Sequence, residues 1–328
     1  MRIYVIGDKN QELENMNSGR NEVIYTSIFS AIFTTLFNRG SIIYSEKENS
    51  ILDVLQKIFK LPYLYGKLES ILEFENHYAK IKKYEIPVLM YHQFVNEKSE
   101  GGKIKLFVTK KQFELHLKIL KWLNYETITF EDLEKIGLQN RFYKKYIILT
   151  VDDGYKDNYT ILYPMLKKYN MKAVIFLVSG LDYNRWTVES DNEKRFDLMS
   201  DEEVMELQNS GHIEFGGHTL THVSFFDVDD ERAREEIVKD KEITEKRLGK
   251  KLKVFAYPYG HKRKEVVEIV KKCGYSFAVS TDTGSGIFTK DLFDIRRTAI
   301  DKTSLINFLR RISPRYLQYK ARKYKDKF

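Results

Sequence analysis

The stretch that decides the fold is Tyr146-Ile147-Ile148-Leu149-Thr150-Val151-Asp152-Asp153-Gly154, an apolar run that ends in two carboxylates and a glycine. The run has no polar alternation, which is typical of a parallel strand buried on both faces. Gly154 allows the tight turn that ends the strand. Open α/β sheets and barrels place their chemistry at the carboxyl ends of strands, so Asp152 and Asp153 are predicted to lie in a functional site.

A second polar cluster, His218-Thr219-Leu220-Thr221-His222, places two imidazoles four residues apart after another apolar run. Both rings can reach one ion if this backbone is helical, and a catalytic zinc usually takes three protein ligands and leaves a position for water. Asp152 or Asp153 is the available third ligand, and the other aspartate could take a proton from the water. The helical zinc motif with this spacing carries Glu where this chain has Thr219, so that class is excluded.

The third segment is Val254-Phe255-Ala256-Tyr257-Pro258-Tyr259-Gly260, a short apolar run that enters a Pro/Gly turn. In their order along the chain, the three segments resemble the polysaccharide deacetylases of carbohydrate esterase family 4. The first is similar to that family's T-[FV]-D-D-G motif, the second to its H-[ST]-x-x-H motif and the third to its [RA]-x-P-Y-G motif. The resemblance covers about residues 86–300.

The resemblance implies a role for each of these side chains. Asp152 would be the general base, and a divalent metal would be held by Asp153, His218 and His222. Zinc is the first choice, with cobalt, nickel or manganese as alternatives. The backbone N–H of Tyr259 would help to bind the tetrahedral oxyanion. Hydrolysis of an N-acetyl group would release acetate and leave an amine.

The chain departs from the family pattern at two positions. Ala256 replaces the arginine with which many members orient the catalytic aspartate; Arg297 is the predicted substitute, with Arg296 second. The late general-acid histidine of the family is also missing, because no histidine follows His261. His92 follows a short apolar run and is predicted to be that acid, as in the branch that deacetylates poly-N-acetylglucosamine.

Substrate contacts are predicted at Tyr257 and Pro258, beside the turn of the third motif. Trp186 lies in residues 181–200, a polar segment without a helical or strand period that is predicted to form a loop over the site. Trp186 could line a sugar face or pack against the rim. His116 lies in a polar helical stretch and is expected to be solvated.

Strand-like runs alternate with helical patterns along most of the chain. The predicted strands are 86–91, 146–152, 172–178, 213–218, 254–258, 277–281 and 294–300. The predicted helices are 110–123, 157–170, 201–210, 229–248, 262–273 and 302–312, with Asp201 and Asp230 as N-caps. This alternation predicts a parallel α/β sheet, and the family resemblance makes it a distorted, incomplete (β/α) barrel of about seven strands.

The chain exceeds one typical domain at 328 residues. The predicted organisation is an N-terminal α/β appendage over residues 1–80, a catalytic domain over 81–301 and a basic C-terminal helix or tail over 302–328. Strands at 2–7 and 42–44 and helices at 23–37 and 51–59 are predicted in the appendage, whose role the sequence does not reveal.

The net charge of +8 is concentrated at the C-terminus. Residues 301–328 carry nine Lys and Arg against two Asp, a balance of +7. This segment is expected either to contact an anionic membrane surface or glycan, or to be a solvated helix; nucleic acid ranks last, because no nucleic-acid-binding signature accompanies it. The lack of a recognisable signal peptide and the single cysteine, Cys273, favour a cytoplasmic location, with the inner face of the membrane as an alternative.

The sequence therefore predicts a metal-dependent hydrolase that deacetylates an N-acetylated amino sugar in a glycan or glycan precursor. One alternative is a hydrolase of a non-sugar amide on the same scaffold. Another is a glycan-binding protein without turnover, against which the intact Asp152, Asp153, His218 and His222 argue.

Overall fold

The computed structural model describes residues 2–6, 22–25, 41–45, 63–65, 86–137, 145–281, 291–301, 303–313 and 316. The chain forms two compact units, one of residues 1–84 with 141–145 and the other of residues 85–140 with 146–328. The predicted domain boundaries after residues 80 and 301 stay predictions, and so do the roles predicted for the three segments.

Four short strands form the sheet of the first unit. They are β1 (Arg2–Ile6), β2 (Glu22–Tyr25), β3 (Ser41–Ser45) and β4 (Tyr63–Tyr65). They pair in parallel in the order β2-β1-β3-β4. The strands predicted at 2–7 and 42–44 are confirmed.

The helix predicted at 23–37 is wrong in its first three residues. Val23 pairs with Ile3, and Ile24 with Tyr4, so this β-branched stretch adds a strand to the sheet instead of starting a helix. Residues 26–37 and the helix predicted at 51–59 lie outside the described residues.

Eight strands form the sheet of the second unit, and seven of them lie in one parallel series. Beyond the first unit, the strands of the described residues are β5 (Val88–Tyr91), β6 (Gln93–Val95), β7 (Phe107–Thr109), β8 (Tyr125–Thr127), β9 (Lys145–Val151), β10 (Ala173–Leu177), β11 (Ile213–Gly217), β12 (Val254–Ala256), β13 (Phe277–Val279) and β14 (Thr298–Ala299). Strand β8 pairs with β9. The seven pair in the order β13-β12-β11-β10-β9-β5-β14. Each predicted strand is found, and the incomplete (β/α) barrel is confirmed.

Helices surround this sheet. They are α1 (Lys110–Trp122), α2 (Phe130–Ile136), α3 (Tyr163–Tyr169), α4 (Arg185–Asp191), α5 (Asp201–Asn209), α6 (Asp230–Leu248), α7 (Lys264–Lys272) and α8 (Leu305–Ile312). A π-helical turn, Asn158–Leu162, precedes α3. Six of the eight occur where the sequence predicts helices. Of the two unpredicted ones, α4 lies inside residues 181–200, so the loop prediction is wrong for that stretch.

The N-caps of two helices lie one residue earlier than predicted. Ser200 accepts a hydrogen bond from the backbone N–H of Glu203, whose carboxylate accepts from the backbone N–H of Ser200 in return. Asp229 accepts from the N–H three residues further on. Asp201 and Asp230 are therefore not the caps; they are the first helical residues, where a carboxylate faces the positive end of the helix dipole.

The central strands are buried on both faces, as their continuous apolar runs predict; in β9 burial extends from Ile147 to Val151. Because the strands are parallel, their carboxyl ends meet at one edge of the sheet. His92, Asp152 and His218 follow directly from three of these ends. Among the helices of the described residues, none has the length and apolar character to cross a membrane.

Candidate active site and metal centre

Asp152 and Asp153 lie in the turn that ends β9. The backbone is left-handed at Asp153 and at Gly154, with φ of +76° and +75°. Left-handed backbone is rare at a residue with a side chain, and here it lets two adjacent carboxylates line one cavity. A Cβ at Gly154 would lie 2.7 Å from a methyl carbon of Leu177, so glycine is required for space as well as for φ.

Asp153, His218 and His222 form the candidate metal centre, with ligand atoms that all lie within 4.8 Å of one another. Oδ1 of Asp153 is 3.5 Å from Nε2 of His218 and 3.3 Å from Nε2 of His222. All three side chains are buried, and among the described residues Oδ1 of Asp153 has no hydrogen-bond partner. Burial of a carboxylate oxygen without a hydrogen-bond partner costs free energy unless a cation neutralises its charge. The three residues therefore fit a divalent metal.

Ionisation of these groups suits a metal site. Burial by itself raises the pKa of Asp153, but the imidazoles of His218 and His222 outweigh it and hold that pKa well below its ordinary value. Burial lowers the pKa of His222 and so favours its neutral form. A carboxylate and a neutral imidazole are the forms that bind metal ions.

The segment between the two histidines is a bend and not a helix, so the helical backbone considered for this pair is wrong. Thr219 and His222 have φ of +70° and +60°. Helix α6 holds the bend through Glu236, whose buried carboxylate accepts from the backbone N–H and the hydroxyl of Thr221 at 2.8 and 2.7 Å. The two rings thus converge by a fixed turn.

The other nitrogen of His218 is held by the backbone of β12. Nδ1 lies 2.7 Å from the carbonyl oxygen of Ala256 and donates a hydrogen bond to it, which leaves Nε2 as the ligand atom facing Asp153. Sequence reasoning missed this contact, because a backbone carbonyl is not visible in residue types. Ala256 therefore serves the site through its main chain.

Asp152 forms a bidentate ion pair with Arg297, the residue predicted to orient it. The two guanidinium nitrogens donate to the two carboxylate oxygens at 2.5 and 2.8 Å, and Nε donates to the carbonyl oxygen of Ser280 at 2.8 Å. Arg297 is fully buried. Burial raises the pKa of Asp152, but the guanidinium outweighs it and the pKa lies below its ordinary value. Arg296, the second candidate, is buried but does not contact Asp152 in the described contacts.

His92 lies between two carboxylates at the end of β5. Its Nε2 is 3.9 Å from Oδ2 of Asp152, and its Nδ1 is 3.5 Å from Oδ1 of Asp301. Burial by itself lowers the pKa of His92, but Asp301, with smaller contributions from Asp152 and Asp153, raises it to about 9. Sequence reasoning missed Asp301. It lies shortly after the end of β14, much as Asp152 lies at the end of β9, and this position could have indicated a site residue.

The metal triad, the Asp152–Arg297 pair and His92 line one cavity of about 360 Å³. Of the predicted substrate contacts, Tyr257 and Trp186 line it, whereas Pro258 is buried and is not part of the lining. Trp186 stacks on His222 with ring centroids 4.5 Å apart, so one face of the indole is covered. The ring of Tyr259 meets His222 edge-on at 4.7 Å, which places this residue beside the metal centre.

Two loops on the cavity wall are joined by Glu193. Its buried carboxylate accepts the backbone N–H of Ile104 at 2.8 Å and that of Lys194 at 2.7 Å. A Cβ at Gly102 would lie 2.5 Å from this carboxylate, so the loop around Gly102 packs directly against it. Burial raises the pKa of Glu193, but the backbone N–H groups outweigh it and lower the pKa.

The remaining described histidines lie away from the metal centre. His116 is buried and not solvated as expected, because it stacks on Phe308 at 3.9 Å and lies within 3.3 Å of the hydroxyl of Tyr91. Burial lowers the pKa of His116 to about 4. His212 bonds to the carbonyl oxygen of Met171.

Comparison with known proteins finds similarity to the same family. The family model for polysaccharide deacetylase matches residues 139–278. YxkH of Bacillus subtilis, a protein named for the polysaccharide deacetylases, is 28% identical over 220 residues, which are 67% of this chain and 72% of the relative. The poly-β-1,6-N-acetyl-D-glucosamine N-deacetylase of Staphylococcus aureus is 28% identical over 221 residues, 62% of this chain and 74% of the relative.

A solved structure shows the same fold. A Streptococcus pyogenes deacetylase in complex with acetate superposes with a TM-score of 0.59 at 24% identity, over 73% of this chain and 99% of that chain. Over residues 139–278 the chain is similar to the polysaccharide deacetylase family, and Asp153, His218 and His222 are its candidate metal ligands.

Proposed function

We propose that this protein is a metal-dependent deacetylase that hydrolyses the N-acetyl group of an amino sugar in a glycan or glycan precursor and releases acetate. The observation that carries the proposal is the meeting of three sets of polar side chains at a single cavity, which all of them except Asp301 line. The sets are the triad of Asp153, His218 and His222, the pair of Asp152 and Arg297, and the pair of His92 and Asp301.

Asp153, His218 and His222 would hold the metal, and zinc fits best because two imidazole nitrogens and one carboxylate oxygen resemble the ligand sets of catalytic zinc sites. When bound there, a divalent cation supplies Lewis-acid polarisation of an acyl oxygen and makes water more acidic. Cobalt, nickel and manganese accept the same N/O ligands. Elemental analysis of the purified protein identifies the metal.

Asp152 acts as the general base. It takes a proton from the water that attacks the acyl carbon, and Arg297 keeps its carboxylate ionised and fixed in direction. Because Arg297 is buried and donates to both carboxylate oxygens, it holds the Asp152 side chain in one orientation. The backbone N–H of Tyr259, beside His222, donates to the oxygen that becomes negatively charged.

His92 acts as the general acid. With a pKa of about 9 the imidazole is protonated at neutral pH, so it can donate a proton to the sugar nitrogen as the C–N bond breaks. Nε2 is 3.9 Å from Asp152, and therefore the acid and the base act on the same cavity. Asp301, at Nδ1, stabilises the charged ring and sets its direction.

The substrate class is proposed from the relatives and from the cavity wall. The Staphylococcus aureus relative is named for a polymer of β-1,6-linked N-acetylglucosamine. Here Tyr155, Trp186, Tyr257 and Tyr259 line the cavity beside polar groups, and ligand pockets combine such apolar walls with a few polar anchors. An N-acetylated amino sugar has both an apolar ring face and polar substituents, and it matches this wall.

The test is acetate release by the purified protein from a panel of acetamides, with metal removed by a chelator and then restored. The panel contains β-1,6-linked N-acetylglucosamine oligomers, β-1,4-linked oligomers and a non-sugar N-alkyl acetamide. We expect acetate from at least one sugar oligomer, loss of release with the chelator and recovery with zinc. Release from the alkyl acetamide alone would favour a non-sugar amidase, and binding without any release would favour a glycan-binding protein.

We also propose that the basic segment over residues 301–328 contacts an anionic surface, supported by its balance of +7. Co-sedimentation with phosphatidylserine-containing vesicles, compared with neutral phosphatidylcholine vesicles, tests this contact. Binding to the anionic vesicles that weakens with salt is expected, and equal binding to both contradicts the proposal. The cytoplasmic location stays a prediction, to be tested by cell fractionation.

A further inference from the structure

An exposed aromatic pair lies on the rim outside the cavity. Phe226 is 63% exposed in the segment between the metal-centre bend and α6, and its ring stacks on His261 with centroids 4.4 Å apart and an angle of 23° between the rings. Neither residue lines the cavity. Single exposed apolar side chains are common, so exposure by itself is no sign of a binding site.

The pair is held in place by polar contacts. Oγ of Ser224 lies 3.0 Å from Nδ1 of His261 and accepts the backbone N–H of Phe226. Arg263 donates to the carbonyl oxygens of Phe225 and Val228, on either side of Phe226, at 2.9 and 2.8 Å. An exposed aromatic ring is thus presented on a fixed support.

A row of rings connects this pair to the metal centre. His261 lies 5.6 Å from the ring of Tyr259, which is 49% exposed, and Tyr259 lies 4.7 Å from the ring of the metal-centre residue His222. Trp186 continues the row on the other side of His222 at 4.5 Å. The exposed pair is therefore the outer end of an aromatic surface that begins inside the candidate active site.

We infer that Phe226 and His261 form a saccharide subsite, which binds a pyranose ring of the glycan next to the sugar that lies at the metal centre. The inference rests on the proposed function. A pyranose presents C–H groups on one face, and the negative face of an aromatic ring attracts them while both apolar surfaces leave water. Because the exposed pair is continuous with the aromatic wall of the cavity, we expect the glycan to run from the metal centre along Tyr259 toward Phe226.

The subsite predicts that Phe226 matters for oligomers and not for single sugars. The experiment measures the affinity of the full chain with zinc, in an Asp152→Asn background that suppresses turnover, for a β-1,6-linked N-acetylglucosamine pentamer and for the monomer. Phe226→Ala should lower the ratio of pentamer to monomer affinity by roughly 2- to 10-fold, the range expected for an aromatic stacking contact. Phe226→Tyr should restore most of the ratio, because it keeps a flat ring.

Trp122→Ala is the matched control, because Trp122 is 56% exposed at the end of α1 and does not line the cavity. It should leave the ratio as in the parent protein. An unchanged ratio in Phe226→Ala, or a loss that Phe226→Tyr fails to restore, overturns the subsite. Failure of the proposed reaction is detected separately, as absence of acetate release by the unsubstituted chain. In that case the ratio of pentamer to monomer affinity can still be measured.

Discussion

At the scale of single residues, Asp152 and Asp153 are neighbours in the chain, yet their carboxylates have different partners. Asp152 is paired with Arg297, and Asp153 faces His218 and His222. Asp152→Asn should keep the metal and lose about 10²- to 10⁴-fold in turnover, because an amide cannot accept the proton of water. Asp153→Asn should lose the metal itself. Metal content and acetate release of both variants check this, and exchanged phenotypes would exchange the roles.

His92 provides a second test at this scale. His92→Ala should leave metal content unchanged and reduce turnover on an acetamide by about 10²- to 10⁴-fold, since the amine leaves poorly without a proton. The loss should shrink on an aryl acetate ester, whose phenolate leaves without one. Rates on both substrates are the measurement. An equal loss on the two would indicate that His92 only positions the substrate.

The pH profile tests the partner of His92. The acid is protonated below a pKa of about 9 and loses its proton above it, so kcat/KM should fall on the alkaline side. Asp301→Asn removes the main cause that raises this pKa and leaves burial, which lowers it, so the alkaline limb should move to lower pH. Glu97→Gln, which removes an exposed carboxylate elsewhere, is the control. A limb that stays in place in Asp301→Asn contradicts the pairing.

Residue types predicted most of this site, because carboxylates and imidazoles at the ends of apolar strands have few structural uses. Arg297 was chosen from the sequence for a gap left by Ala256, and the structure brings it to Asp152. Asp301 was readable by the same rule and was overlooked. The carbonyl oxygen of Ala256 could not be read, because every residue carries one and only the fold selects which of them meets His218.

At the scale of elements, the loops over the cavity depend on Glu193. Glu193→Gln keeps one acceptor oxygen but replaces the other with an amide donor, which leaves the partly buried backbone N–H of Ile104 or Lys194 without its acceptor. The free energy of unfolding should fall by about 1–3 kcal/mol. KM should rise more than kcat falls, because the wall of the cavity loosens while the metal centre is unaffected.

Denaturant unfolding and steady-state kinetics check the Glu193 prediction. Glu189→Gln is the matched control, since Glu189 lies in α4, shortly before Glu193 in the chain, with a side chain that is 69% exposed. It should be close to neutral in both measurements. A fall in kcat without a change in KM or stability for Glu193→Gln would show that the carboxylate acts on the reaction and not on the loops.

Long elements were predictable, whereas some short ones were not. Strand β9 is a continuous apolar run and helix α6 spans 19 residues, whereas β6, β7 and β8 have three residues each, which is too few for a pattern to appear. Helix α4 escaped prediction because its start has no side-chain cap and its residues are largely polar. The order of strands and helices was nevertheless sufficient to predict a parallel α/β sheet, and the family resemblance made it an incomplete barrel.

At the scale of the whole molecule, the parallel sheet brings together residues that are far apart in the chain. His92, Asp152, His218 and Arg297 follow or adjoin four different strands, and the strand order places β5 and β9 side by side with β14 next to β5. Parallel pairing puts their carboxyl ends at one edge, and the site forms there without any local motif containing all of it. Residues 1–80 carried no comparable signal of function.

The most direct test of the central claim is the metal content of His218→Ala measured together with its acetate release. The claim is that Asp153, His218 and His222 hold one divalent metal on which hydrolysis depends. With two ligands left, the variant should retain little metal after dialysis and release almost no acetate from an N-acetylglucosamine oligomer, while the unsubstituted protein binds one metal ion per chain and turns over. Full metal occupancy with normal acetate release in His218→Ala would contradict the account.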